Sequence, residues 1–218
     1  MIEVQSETMV QKKERMKAVI KRLHMEYPKA ECSLTYITPQ QLLVSTILSA
    51  QCTDERVNQV TPFLFKKYPS VKDFAYTNVE ELAKDIHSCG YHNQKARAIK
   101  GASLVIWEEF GGTVPNTMED LIKLPGVGRK TANCVLGTAF GIPSVVIDTH
   151  MVRIMGLLGF TDSKNPEKIE REIMEITPTE EWINLTHLII DHGREICIAR
   201  RPKCSDCRLN DICPSSLV

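Results

Sequence analysis

The chain has 218 residues, enough for one large domain or for two small ones that each build a core. Hydrophobic residues make up 43% and charged residues 25%, an ordinary globular balance, and no apolar run reaches the roughly eighteen residues that would cross a bilayer. Lysine and arginine number 27 and aspartate and glutamate 27, so the net charge is zero. The whole-chain balance therefore speaks against a nucleic-acid partner, and any such case rests on local clusters.

The opening segment, Met1 to Gln11, is polar and has no apolar secretory stretch, which predicts a cytoplasmic location, or the nucleoid if DNA is the partner. Helical spacing then runs nearly throughout. Met16, Val19, Ile20 and Leu23 form a stripe on a basic helix that ends before Tyr27-Pro28. Thr38 and Pro39 suit the N-cap and first position of a helix carrying Leu42, Leu43, Ile47 and Leu48. Val57, Val60, Phe63 and Leu64 predict another helix, with a break or kink at Pro62. Asn78 caps a helix through Val79, Leu82 and Ile86 that Gly90 ends, and a further helix runs through Ile99 and Ile106 to Phe110. A short helix from Met118 to Leu124 stops at Pro125-Gly126. Helices from Arg129 to Phe140, Thr149 to Leu158, Pro166 to Ile176 and Glu181 to Cys197 complete the series. Only Ser144 to Ile147 reads as a strand, and it is too short to found a sheet. The fold class is all-α, and periodicity alone places no domain boundary.

Eight cysteines are unevenly spread. Cys32, Cys52, Cys89 and Cys134 are scattered, whereas Cys197, Cys204, Cys207 and Cys213 form C-x6-C-x2-C-x5-C. Four soft anionic sulfurs so close together suit a four-thiolate zinc site or a [4Fe–4S] cluster, and the donor set alone leaves both open. Arg200, Arg201 and Lys203 lie between the first two cysteines, with Arg194 before and Arg208 after. A loop pinned at both ends projects such cations outward, either as a phosphate clamp or as a solvated balance to a negative cluster.

Leu124-Pro125-Gly126-Val127-Gly128-Arg129-Lys130-Thr131 stands between two helical stretches. The glycines allow a tight turn that offers consecutive N–H groups to an anion at a helix start, a helix-hairpin-helix candidate for gripping a phosphate; a plain helix–helix turn is the alternative. It is not a P-loop, because the spacing and the preceding strand are missing. The positive helix end would favour a neutral, nucleophilic Lys130. Asp148, where Val145 to Ile147 meets a helix, caps that helix and also suits a carboxylate that steadies a cationic sugar. Beside Lys130 it would favour the charged amine, against the helix end.

L-P-G-V-G-R-K-T-A-N (Leu124 to Asn133), V-I-D-T-H (Val146 to His150), L-S-A-Q-C-T-D (Leu48 to Asp54) and the cysteine tail together resemble the endonuclease III family, in order and spacing from about Leu23 to Cys213. The resemblance implies a two-domain helix-hairpin-helix DNA glycosylase fold. A six-helix barrel domain would span 33–142 with the hairpin at about 115–135, and 1–32 with 143–218 would form a discontinuous cluster domain. It implies a [4Fe–4S] cluster on Cys197, Cys204, Cys207 and Cys213. The partner is double-stranded DNA with a damaged base or an abasic site, bound by a monomer without a membrane. Lys130 would attack C1′ of a flipped, damaged pyrimidine nucleotide with help from Asp148, and β-elimination would then cut 3′ to the lesion. DNA contacts would come from Gln51, Tyr91, Gly126, Val127, Gly128, Arg129, His150, Arg200 and Arg201. Gln51 matches the family glutamine that enters the emptied gap; Tyr91 stands where some relatives have a leucine, so its part in lesion preference stays open beside that of a surface aromatic.

Three rivals are weighed. A monofunctional mismatch glycosylase of this fold generally lacks lysine at position 130 and carries a further C-terminal domain, whereas this sequence stops at Val218; a lysine-bearing thymine-mismatch enzyme remains compatible. A DNA-binding module without catalysis would be indifferent to Lys130. An electron carrier explains neither hairpin nor lysine.

Overall fold

The computed structural model describes residues 7–218, so part of the polar opening segment Met1 to Gln11 lies outside the described residues. Among these the regular elements are all helical. In chain order they are α1 (Met9–Glu26), α2 (Pro39–Ser49), α3 (Asp54–Lys67), α4 (Val71–Tyr76), α5 (Val79–Asp85), α6 (His92–Glu109), α7 (Met118–Leu121), α8 (Arg129–Phe140), α9 (Thr149–Leu157), α10 (Pro166–Ile176) and α11 (Trp182–Glu195). Short 3-10 turns occur at His87–Cys89, Thr179–Glu181, Cys204–Asp206 and Asn210–Ile212. Ser144 to Ile147 forms no strand. No described helix is long and apolar enough to cross a membrane.

The chain divides into two compact units. One is Cys32–Ile142; the other joins the chain up to Glu31 to Pro143–Val218. The first is built around α2, which buries Leu42, Leu43, Val44, Ser45, Ile47 and Leu48 and so has little solvent face. Phe74, Leu82, Ile99, Leu121 and Val135, from α4 to α8, complete its core. In the second unit the stripe Met16, Val19, Ile20 and Leu23 on α1 meets Met151 and Ile154 of α9, Ile169 and Ile173 of α10, and Leu185, Leu188 and Ile189 of α11. Arg22 and Glu26 on α1 reach the C-terminal tail: Arg22 donates to Arg208 O at 2.7 Å and pairs with Asp211, and Glu26 pairs with Arg208.

Side-chain caps start most helices as expected. Thr38 accepts from Gln41 N, Asn78 from Glu81 N and Asn165 from Lys168 N. Three local expectations are narrowed. Of the break or kink expected at Pro62, the break does not occur: α3 runs through it from Asp54 to Lys67. The helix capped by Asn78 ends at Asp85, and a 3-10 turn, not α-helix, carries the chain to Gly90. The helix from Met118 closes at Leu121, because Lys123 N and Leu124 N turn back to Asp120 O and Leu121 O in three-residue loops.

Candidate active site and cysteine centre

The turn before α8 owes its shape to alternation of apolar and glycine residues. Leu124 and Val127 are buried, while Gly126 and Gly128 face solvent. Gly126 has φ +76°, and a Cβ there would lie 2.5 Å from the Ala98 Cβ on α6. Glycine is therefore required twice, for its backbone and for the close approach. Pro125 rests one turn further along α6, where a Cβ on Gly101 would come within 3.1 Å of its ring. Two small residues on α6 thus seat the hairpin. Val127 N–H donates to Leu124 O at 3.0 Å. It closes the turn ahead of the helix start. The candidate anion donors are those at the start of α8, whose N-cap, Gly128, brings no capping side chain.

Arg129 and Lys130 follow at the surface as the first two residues of α8, whose opposite face buries Ala132, Asn133, Val135 and Leu136. One turn beyond Lys130 lies Cys134. Hydrogen bonding from Cys32, then from Thr46 and Thr138, brings its thiol down to about 7 against the opposing effect of burial, with the Lys130 charge adding to the fall. Cys32, the donor, is pushed up.

Gln51 and Tyr91 share an unusual feature. They are the two non-glycine residues with positive φ among the described residues, at 52° and 49°. Gln51 follows α2 and is exposed; Tyr91 is 62% exposed at the N-cap of α6. Lys95, which no motif singled out, is 5% exposed and donates from Nζ to Leu48 O and Cys89 O, beside both loops.

Asp148 lies in the other unit and caps α9, its Oδ1 accepting from Met151 N at 2.8 Å. His150 turns inward: its Nδ1 accepts from Arg153 Nη2 at 3.5 Å, and Gly193 of α11 is so close that a Cβ would lie 2.3 Å from Nδ1.

The structure brings Cys197, Cys204, Cys207 and Cys213 round one cavity of about 180 Å³, with Arg153, His192 and Leu209 among its other walls. Among the described residues, no three His, Cys, Asp or Glu side chains converge on a point that would hold one metal ion. Donors already face the sulfurs. Arg153 Nη1 is 3.5 Å from Cys197 Sγ and donates to Cys197 O at 2.6 Å; Leu209 N is 3.4 Å from Cys207 Sγ, and His192 Nε2 3.7 Å. Burial pushes the Cys207 and Cys213 thiols up, and the neighbouring thiols of the set add to it. No periodicity pointed to Arg153 or His192, which lie on buried or half-buried helix faces like any core position. Arg200 and Arg201 are exposed in the same loop, whereas Arg208 is engaged with Glu26 and is not available as the phosphate contact its position suggested.

The model of a family described as HhH-GPD superfamily base excision DNA repair protein matches residues 44–179. A relative from Synechocystis sp., named endonuclease III, is 51% identical over 209 residues, covering 95% of each chain. A solved endonuclease III–DNA complex, trapped as a covalent intermediate, superposes with TM-score 0.89 at 39% identity, over 94% of this chain and 96% of that one. A thermostable thymine-DNA glycosylase superposes with TM-score 0.82 at 25% identity, over 93% and 97%.

Proposed function

We infer the reaction from one premise: the chain belongs to the endonuclease III family of the HhH-GPD superfamily and is a base-excision repair DNA glycosylase with the helix-hairpin-helix glycosylase fold. Its partner is DNA. The lesion class is an oxidised or otherwise damaged pyrimidine in a duplex, and the enzyme acts as a monomer in the cytoplasm, at the nucleoid when bound.

Lys130 is the nucleophile. Its neutral Nζ attacks C1′ of the extruded nucleotide, the glycosidic bond breaks, and the base leaves with its electron pair. Asp148 steadies the positive charge that gathers on the sugar as that bond lengthens. Of the two amine protons one ends on the departed base and one on the ring oxygen as the sugar opens, leaving a Schiff base between Nζ and C1′. Loss of a C2′ proton then expels the 3′ phosphate and cuts the strand. Gln51 and Tyr91 fill the space the nucleotide vacates, the hairpin residues Gly126 to Arg129 hold a backbone phosphate, and Arg200 and Arg201 hold another. His150, whose ring also meets Arg153, is a further DNA contact. The division of labour between units follows the expectation of a barrel domain, 33–142, and a cluster domain made from 1–32 and 143–218.

Cys197, Cys204, Cys207 and Cys213 hold a [4Fe–4S] cluster. What supports this is the fit: four soft donors ring one cavity, and N–H groups already face two of the sulfurs. When bound, the cluster supplies cross-links that pin the loop presenting Arg200 and Arg201.

The observation that carries the mechanism is the position of Lys130, exposed in the first turn of α8 directly after a hairpin seated on α6. Borohydride trapping on a duplex with one thymine glycol tests it. Wild type is expected to yield a covalent adduct and Lys130→Gln none; an adduct from Lys130→Gln removes this lysine from the mechanism. The likeness to a thymine-DNA glycosylase supports a second reading, removal of thymine mispaired with guanine. A G·T duplex in the same assay decides it: base release from G·T alone would transfer the assignment to mismatched thymine.

A further inference from the structure

One buried ammonium connects two loops that the mechanism treats as separate. Lys95 is in the first turn of α6, and its Nζ donates to Leu48 O at 2.7 Å and to Cys89 O at 2.8 Å, while its main-chain N–H donates to Tyr91 O at 3.0 Å. Leu48 belongs to the last turn of α2, three residues before Gln51; Cys89 stands two residues before Tyr91.

Lysine is a costly choice at this place. Burial holds its ammonium below the usual lysine range, with the Cys52 and Cys89 thiols acting the other way, and the start of its own helix is positive. The closing carbonyls of α2, which lack partners within that helix, offset part of the cost. An apolar side chain of the same volume would avoid burying a charge but could not bond either carbonyl. What the lysine adds is a link. Left-handed backbone at non-glycine residues persists only where the surroundings hold it, and the two such residues here flank the carbonyls that Lys95 grips.

We propose that Lys95 is a positioning residue that ties the loop of Gln51 to the turn of Tyr91, so that both side chains enter the emptied space in the duplex as one prearranged pair. This rests on the reading of Gln51 and Tyr91 as gap-filling residues. Prearrangement removes the cost of ordering two loops separately while the base is being extruded.

The test uses full-length, cluster-loaded protein and single-turnover base release from thymine glycol, placed either in a duplex or in an unpaired bubble where no stacked gap forms. Lys95→Met is expected to slow the duplex reaction by about a hundredfold, the scale of a small misplacement far from the chemistry, and to leave the bubble reaction unchanged. Lys95→Arg, able to reach both carbonyls, is expected to recover most of the loss. Lys95→Met combined with Tyr91→Ala should cost less than the product of the two single effects, because both disturb one unit. Equal slowing on both substrates would mean that Lys95 merely supports the fold and would overturn the proposal. Slow Gln51→Ala and Tyr91→Ala variants beside an unaffected Lys95→Met would overturn it alone. Unaffected Gln51→Ala and Tyr91→Ala would sink the gap-filling reading and this inference with it. If Lys95→Met does not fold, Lys95→Gln, which keeps one of the two bonds, takes its place under the same criteria.

Discussion

Asp148 caps α9, and the proposed mechanism asks a second task of the same side chain. One carboxylate oxygen accepts from Met151 N at 2.8 Å and starts α9, so a carbonyl oxygen would do equally well for the cap. The charge is what a cationic sugar needs. Asp148→Asn is therefore expected to melt like wild type yet release base about a hundredfold more slowly in single turnover, while Asp148→Ala should lose in addition about 1 kcal/mol in chemical denaturation. An Asn variant with near-normal rates would leave Asp148 as a cap alone. Lys95 shows the opposite separation. A lysine two residues from an arginine, in a stretch of polar residues opening a helix, reads as solvated, and only packing reveals that it is 5% exposed. Cys134, one turn after Lys130, likewise reads as an ordinary core residue until Cys32 and Thr46 are found beside it.

At the scale of elements, the hairpin depends on what α6 does not carry. Ala98 and Gly101 are small, and Gly126 and Pro125 come down on them. Gly126→Ala would both force an alanine into φ +76° and place its Cβ 2.5 Å from that of Ala98, so the turn must lift. The expected loss is about 2 to 4 kcal/mol of stability, together with a marked fall in duplex affinity. Wild-type stability and affinity in this variant would show that the turn is not held as described. Helices with strong punctuation were legible to the residue: α8 begins after Gly128 and ends at a left-handed Gly141, and α10 begins at Pro166 after a capping asparagine. Those without it were not. α4 has six residues, too few to display a helical period, and its Ser70–Asp73 capping box is its clearest mark. Pro62 left break and kink open, and the helix continues because a proline costs it one bond and some bending, which the burial of Val57, Thr61 and Leu64 on α3 outweighs. The catalytic candidates were legible from motif residues, whereas Arg153 and His192 were not, since contact with the cysteine cavity depends on how α9 and α11 pack.

For the whole molecule, zero net charge and a DNA partner are compatible because a sum does not say where the charges lie. Lys67 is held by Glu81 and Asp85, Lys123 by Asp120 and Glu119, Arg22 by Asp211 and Arg208 by Glu26. Among the described residues Lys130, Arg200 and Arg201 are exposed and enter no such pair, and in the proposed mechanism they are charges that a phosphate backbone meets. In the proposed mechanism the cysteine centre pins the loop that carries two of these charges, Arg200 and Arg201. Cys204→Ser is expected to lose the visible absorbance of the cluster and to weaken duplex binding, while far-UV dichroism keeps most of its helical signal, because the Cys32–Ile142 unit has its own core. Full binding by a cluster-free protein would mean that the loop needs no pin. Salt dependence separates the paired from the unpaired cations. Each phosphate neutralised releases condensed counterions, so the slope of log affinity against log salt should fall in magnitude by about one for Arg201→Ala. Lys123→Ala removes a charge of the same sign that two carboxylates already satisfy, and it should leave the slope unchanged. Equal changes for both would assign binding to the overall charge of the protein. A change for Arg201 alone assigns it to particular cations at the proposed interface, among them Arg201, which enters no ion pair with the described residues.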